Sequence, residues 1–343
     1  MNKIGMFGGK FLIPTMGHLR CIVEASTKVD ILYVILCYNE ELEKPMFKGA
    51  KIKPIEYMER LRWLKQMTKD MPNVHILQMH DDYNWENGAN TIKRIINAPI
   101  HTVFFGGDYE VDMWKELYPE SKEFYKFDRT DEVISATKIR MDGPFKHWDD
   151  IPNIVKPYFI KKVCIVGTES CGKSTLVNNL ALYYNTNQVK EYGRDVCDEA
   201  GGELNMDIND YKKILCGQVM LEEEAVKYSN KLLFVDSEQI VTQYYLTMSE
   251  GGFGPQGIAA YNLADNLSIL NEYDLILLMA PTVKWVDDGT RIHGDQSERE
   301  SNHKRLKRMY EDHNIAYIEI TEDNYNDRFK QAVTLINEIV LGE

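Results

Sequence analysis

The densest chemistry in this sequence lies in Gly167-Thr168-Glu169-Ser170-Cys171-Gly172-Lys173-Ser174, which fits G-x-x-x-x-G-K-[ST] and is followed by Thr175. An apolar run, Val163 to Val166, precedes it and a helix is expected to follow. That placement lets the glycines turn backbone N–H groups inward around phosphates. Lys173 then reaches the transferred phosphate and Ser174 ligates Mg²⁺. Such a loop needs an acidic residue at the end of a neighbouring strand, and Leu232-Leu233-Phe234-Val235-Asp236 supplies Asp236 for the metal, with capping of the next helix as its plainer alternative. In the polar loop Trp285 to Arg291, Arg291 is placed to stabilise charge on the transferred group; a solvated surface arginine is the alternative. A small-molecule kinase also needs a carboxylate to orient or deprotonate the acceptor hydroxyl. In Lys190-Glu191-Tyr192-Gly193-Arg194-Asp195 and at Asp236, three carboxylates compete for that role: Glu191, Asp195 and Asp236.

A second constellation opens the chain. Gly8-Gly9-Lys10-Phe11-Leu12-Ile13-Pro14-Thr15-Met16-Gly17-His18 resembles the G-x-F-x-P-x-[HT]-x-G-H signature of the nucleotidyltransferase superfamily, and Ile134-Ser135-Ala136-Thr137-Lys138-Ile139-Arg140 resembles its partner, I-S-x-T-x-x-R. Attack by a phosphate on the α-phosphorus of ATP builds negative charge on the α-phosphoryl oxygens and on departing pyrophosphate, so catalysis is positioning plus charge stabilisation. His18 is expected at the α-phosphate, with Ser135, Thr137 and Arg140 at the β- and γ-phosphates. Gly8, Gly9 and Gly17 let backbone and ligand approach closely, beside Lys10 and Phe11. Two departures stand out: Ile13 occupies the expected proline position, with Pro14 next, and Thr15 replaces the more usual first histidine. Thr15 is expected to donate one neutral hydrogen bond to a phosphate.

These residues need scaffolds. Apolar runs of strand length at Lys3–Phe7, Asp30–Cys37, Val74–Gln78 and His101–Phe105 alternate with expected helices at Leu19–Lys28, Pro54–Lys69 and Asn90–Asn97. A second alternating series has strands at Val163–Val166, Lys231–Val235, Asp274–Met279 and Ala316–Ile320, and closes with a helix over Asn326–Leu341. The prolines between Met141 and Tyr158 read as a connecting segment. The fold class is therefore α/β: a Rossmann-like nucleotidyltransferase domain over 1–150, then a P-loop kinase domain over 151–343. The chain has 343 residues, enough for two cores, and 44% hydrophobic residues, too many for a disordered chain. No apolar stretch approaches membrane-spanning length and no signal peptide is evident, so a cytoplasmic chain is expected, with no membrane partner. A net charge of -13 argues against a nucleic-acid partner.

With both motifs in place, the whole chain resembles the bifunctional NMN adenylyltransferase and ribosylnicotinamide kinase proteins, the NadR-type enzymes of NAD salvage. The resemblance also covers Pro144-Phe145-Lys146-His147-Trp148, Ile151-Pro152, Val155 to Phe159, Thr242-Gln243, and Trp285-Val286 with Asp288-Gly289. It implies that the first domain joins NMN and ATP into NAD and pyrophosphate and that the second phosphorylates nicotinamide riboside with ATP. Trp85 and Tyr192 are the aromatic candidates for nicotinamide, and Glu191, Arg194 and Asp195 for the riboside. Some family members carry an N-terminal helix-turn-helix; here the signature begins within the first ten residues, and no such module is expected. A monofunctional kinase with a degenerate first domain, a nucleotide-sensing regulator and a homo-oligomer all stay open.

Overall fold

The computed structural model describes residues 2–107, 109–128, 134–248, 254–283 and 296–342, which form two compact units, Met1–Phe159 and Ile160–Glu343. The first unit holds strands β1 (Ile4–Gly9), β2 (Ile31–Tyr38), β3 (Val74–His80), β4 (Thr102–Phe105) and β5 (Glu123–Lys126), all parallel, in the order β3-β2-β1-β4-β5. Helices α1 (Met16–Ser26), α2 (Glu40–Glu43), α3 (Tyr57–Met67), α4 (Trp85–Ile96), α5 (Val111–Leu117) and α6 (Ala136–Asp142) connect and follow them. Alternate residues of one strand enter separate cores: Phe7 packs with Ile22, Leu32 and Leu64, while Ile4 and Met6 pack with Ile35, Ile92 and Val103. Both faces of the sheet are therefore covered, as a parallel sheet requires.

The second unit repeats the logic with β6 (Lys161–Val166), β7 (Gln188–Val189), β8 (Leu232–Asp236), β9 (Leu275–Met279) and β10 (Ile318–Ile320), ordered β10-β9-β6-β8-β7 and parallel throughout. Its helices are α7 (Lys173–Tyr183), α8 (Tyr192–Ala200), α9 (Ile208–Val226), α10 (Gln239–Met248), α11 (Gly254–Leu270), α12 (Gln296–Asp312) and α13 (Tyr325–Leu335). Val163 and Ile165 enter one core; Cys164 and Val166 enter the other. In each unit the strand leading into the phosphate motif, β1 or β6, lies mid-sheet with neighbours on both sides. Its C-terminal end therefore opens at a crevice where connections diverge, the usual ligand position in such sheets.

Three features depart from the sequence reading. β5 is an additional edge strand, half-exposed and without a long apolar run. The Met141–Tyr158 segment is not a loose connector: 3₁₀ turns at Pro144–Asp150 and Lys156–Phe159 pack into the first unit, with Ile151 and Val155 buried and Tyr158 set edge-on to Trp63. The units consequently divide after Phe159, later than the expected boundary at 150. Among the described residues no helix is long and apolar enough to cross a membrane.

Two candidate phosphate-transfer sites

In the second unit, β6 delivers the chain to Gly167 at φ +150°, where a Cβ would lie 2.8 Å from Cys171 Sγ and 3.0 Å from the Met279 carbonyl oxygen. Only glycine fits. Ser170 and Gly172 adopt left-handed backbone, and Gly172 caps α7, so the loop curls into a concavity at a helix N-terminus. Cys171 is buried, its thiol donating to the Thr168 carbonyl at 2.9 Å. Lys173 is buried beneath the loop and its Nζ donates to the Thr168 carbonyl at 3.2 Å. Burial opposes its charge, but Cys171, Glu191 and Asp236 outweigh that effect and hold its pKa above the ordinary lysine value.

Asp236 ends β8 at 2% exposure. Burial and then the nearby Glu191 carboxylate push its pKa up to about 6, against the opposing pull of Lys173, a hydrogen bond from Ser174, and Arg194. The Ser174–Asp236 pair at the mouth of the loop is an oxygen donor set suited to Mg²⁺. Asp236 Oδ1, Thr168 Oγ1 and Ser170 Oγ are buried with no hydrogen-bond partner among the described residues, a concentration of unsatisfied polar atoms that fits a charged, hydrogen-bonding ligand. No cluster of three or more His, Cys, Asp or Glu side chains set to hold a metal occurs among the described residues.

The adjoining cleft is lined by Glu169, Lys173, Glu191, Arg194, Tyr211 and Tyr245 among others. Two expected substrate residues lie elsewhere. The Tyr192 ring packs on α9, where a Cβ on Gly217 would come within 2.2 Å of it, and Asp195 is exposed on the first turn of α8; neither lines the cleft. Thr175 is likewise exposed on the first turn of α7. Arg291 lies outside the described residues, as do Trp285, Val286, Asp288 and Gly289. Gln218, which sequence reasoning did not single out, accepts from the Tyr192 N–H at 3.0 Å and donates toward the Asp236 and Ser237 carbonyls at 3.5 and 3.4 Å. It thereby ties the segment bearing Glu191 to the one bearing Asp236. Its signal was a polar side chain in the apolar stripe of Tyr211, Ile214 and Leu215.

In the first unit, Gly8 and Gly9 end β1, Phe11 sits at φ +46°, and Gly17 lies in the first turn of α1. Thr15 is the N-cap of α1. Its Oγ1 accepts from the His18 N–H at 3.3 Å, while the Thr15 N–H donates to His18 Nδ1 at 3.1 Å. Nδ1 thereby accepts from the backbone, which leaves Nε2, on the far edge, as the ring's donor nitrogen. At 2% exposure, with Oγ1 accepting in the cap and 3.0 Å from His18 Nδ1, Thr15 is placed to orient His18, a role beyond the phosphate contact expected from the sequence. Phe11 meets the His18 ring edge-on with centroids 5.1 Å apart.

Ser135 caps α6 by accepting from the Lys138 N–H at 3.2 Å, and Arg140 Nη2 donates to Thr137 Oγ1 at 3.2 Å. Burial draws the Arg140 pKa below its ordinary value, with Glu43 pulling the other way. Glu43 also pairs with Arg60, whose Nη1 reaches the Lys10 carbonyl, so both halves of the split signature converge on one buried ion pair. The Lys10 ammonium donates to the Tyr83 hydroxyl at 2.9 Å and lies 3.4 Å from Asp81. Trp85 opens α4 half exposed, its ring edge-on to Tyr109 and Trp114.

Comparison with known proteins agrees with this two-part layout. The cytidylyltransferase-like family matches residues 6–142 and the AAA domain family matches 162–328. The trifunctional NAD biosynthesis/regulator protein NadR of Escherichia coli (strain K12) is 32% identical across 100% of this chain and 84% of its own, and that of Salmonella typhimurium (strain LT2) is 33% identical with the same coverage. Among solved structures, a NadR protein in complex with NR superposes with a TM-score of 0.82 at 23% identity, covering 99% of this chain and 96% of the other. A NadR protein in complex with NAD and AMP-PNP does so with a TM-score of 0.80 at 21% identity and the same coverage.

Proposed function

The chain belongs to the NadR family of NAD biosynthesis and regulator proteins, and from that premise we propose that its second unit phosphorylates nicotinamide riboside to NMN with ATP and its first unit joins NMN to a second ATP, releasing NAD and pyrophosphate. The observation that carries the reading is that one chain holds two separate phosphate loops, each at the C-terminal end of a mid-sheet strand. The ligands in the two solved NadR complexes, NR in one and NAD with AMP-PNP in the other, belong to these same two reactions.

In the kinase unit the loop amides from Gly167 to Ser174 and the Lys173 ammonium cradle the ATP phosphates. Ser174 and Asp236 would hold Mg²⁺, which neutralises phosphate charge when bound. Glu191, in the cleft beside Lys173, accepts the proton from the riboside hydroxyl as its oxygen bonds to the γ-phosphorus and ADP departs; Arg194 faces the same pocket. Tyr211 and Tyr245 offer aromatic walls for the base, in place of Tyr192. In the transferase unit His18 donates from Nε2 to the α-phosphoryl oxygen while the NMN phosphate attacks and the bond to pyrophosphate breaks. Arg140, Ser135 and Thr137 take the leaving phosphates, and Trp85 the nicotinamide. Supplying the whole chain with NMN and ATP, and separately with nicotinamide riboside and ATP, tests each half. NAD with pyrophosphate is expected from the first and NMN with ADP from the second; absence of either pair removes that half of the reading.

Two consequences follow for single side chains. Losing an N-cap hydroxyl costs about 0.5–2 kcal/mol, and here it also frees the His18 ring, so Thr15→Ala should slow NAD formation about tenfold. Thr15→Ser keeps the oxygen and should stay near the parent rate; steady-state kinetics with NMN as substrate compare the two.

Asp236 carries the other. Its raised pKa means that the folded chain holds a proton there more readily than the unfolded one, so this group's contribution to stability is full below the ordinary aspartate range and is lost as pH rises through about 6. Asp236→Asn, neutral throughout, should therefore raise Tm by about 2–4 °C at about pH 7 in the presence of chelator, with the gain vanishing below about pH 4, while NMN formation collapses. Thermal scans across that pH range check the sign.

A further inference from the structure

Among the described residues the two largest fully buried side chains are both arginines, Arg60 at 0% and Arg328 at 1% exposure. Desolvating a guanidinium is expensive, and a well-packed apolar side chain of similar volume often serves stability as well or better. Yet each arginine lies behind a phosphate loop. Arg60, from α3, donates from Nη1 to the Lys10 carbonyl at 2.7 Å and is steadied by Glu43, with Nη2 to Oε2 at 2.6 Å and Nη1 to Oε1 at 3.2 Å. Arg328, from α13, donates from Nη1 to the Cys171 carbonyl at 2.5 Å, from Nη2 to the Ala280 carbonyl at 2.7 Å and Thr282 Oγ1 at 2.6 Å, and from Nε to the Glu322 carbonyl at 2.6 Å. None of those four acceptors is a carboxylate.

The peptide group is planar and trans, so its carbonyl and the following N–H point in opposite directions. A loop that turns N–H groups toward phosphate must turn the matching carbonyls away from it, and buried carbonyls need donors. The Cys171 carbonyl shares its plane with the Gly172 N–H, and the Lys10 carbonyl shares its plane with the Phe11 N–H. Both following residues have left-handed backbone, Gly172 at φ +86° and Phe11 at φ +46°, and for phenylalanine that conformation is held only at a cost. Arg299 acts similarly one peptide earlier, donating from Nη2 to the Ser170 carbonyl at 3.3 Å.

We propose that Arg60 and Arg328 are positioning residues, each holding a carbonyl on the outer side of its own phosphate loop so that the next N–H faces the ATP phosphates. The inference rests on the two-reaction reading above, and wild-type rates are measured first: a wild type without either product strikes that reading, whereas active wild type with unaffected variants strikes only this inference. Arg328→Met should raise KM for ATP in NMN formation about tenfold while KM for nicotinamide riboside stays within about twofold, and Arg328→Lys should recover part of the loss. Arg60→Met and Arg60→Lys should do the same for ATP in NAD formation, with KM for NMN held. If Arg328→Met does not fold, Thr282→Val removes one acceptor from the same guanidinium at an exposed position and should raise the same KM about threefold. Folded variants with lowered Tm but unchanged KM for ATP, or with both substrates' constants shifted alike, would reduce the arginines to packing and overturn the proposal.

Discussion

Lys173→Ala should reduce NMN formation from nicotinamide riboside by about 10³-fold or more, because on the proposed reading the variant loses the buried ammonium that meets the developing phosphoryl charge. Nζ lies under the loop and donates to the Thr168 carbonyl, with Glu191, Asp236 and Arg194 among its electrostatic neighbours. NAD formation from supplied NMN should remain within about twofold of wild type, since its residues belong to another sheet with its own core. Product quantification with each substrate in turn distinguishes the outcomes. Equal loss of both activities in a folded protein would contradict two independent sites.

The reciprocal variant is His18→Ala. The capping geometry leaves Nε2 as the donor nitrogen of His18, and removing a donor aimed at transition-state charge typically costs about 10²–10³-fold. NAD formation should fall by that factor while phosphorylation of nicotinamide riboside continues, so a reaction fed with riboside should stall with NMN accumulating. Unchanged NAD synthesis would place His18 outside the transition state and leave its role as the capping-box partner of Thr15.

What the sequence could reveal followed from local constraints. The Gly167–Ser174 motif is legible because its first glycine is demanded by a backbone angle and by the Met279 carbonyl packed against it, so spacing encodes shape. Strands β2, β8 and β9 are legible because a strand covered on both faces is a nearly continuous apolar run. β5 was missed for the converse reason: as a half-exposed edge strand, Glu123-Phe124-Tyr125-Lys126 has no such signature. Tyr192 shows the limit at the site. Its type suited a base pocket, but which way its ring faces is decided by the space above Gly217 in a helix distant in sequence. Arg60 and Arg328 lie 50 and 157 residues from the loop carbonyls they hold, and no periodicity links such pairs. Thr15 was legible as a departure from the signature, while its capping work emerged only with the helix around it.

The most direct test of the central claim is a time course in which the purified whole chain receives nicotinamide riboside, excess ATP and Mg²⁺, and all products are resolved together. The two-site account predicts that NMN and ADP appear first, that NAD and pyrophosphate follow after a lag, and that at completion ADP and pyrophosphate are present in equal amounts per NAD. NMN and ADP accumulating to the end without pyrophosphate or NAD would contradict it.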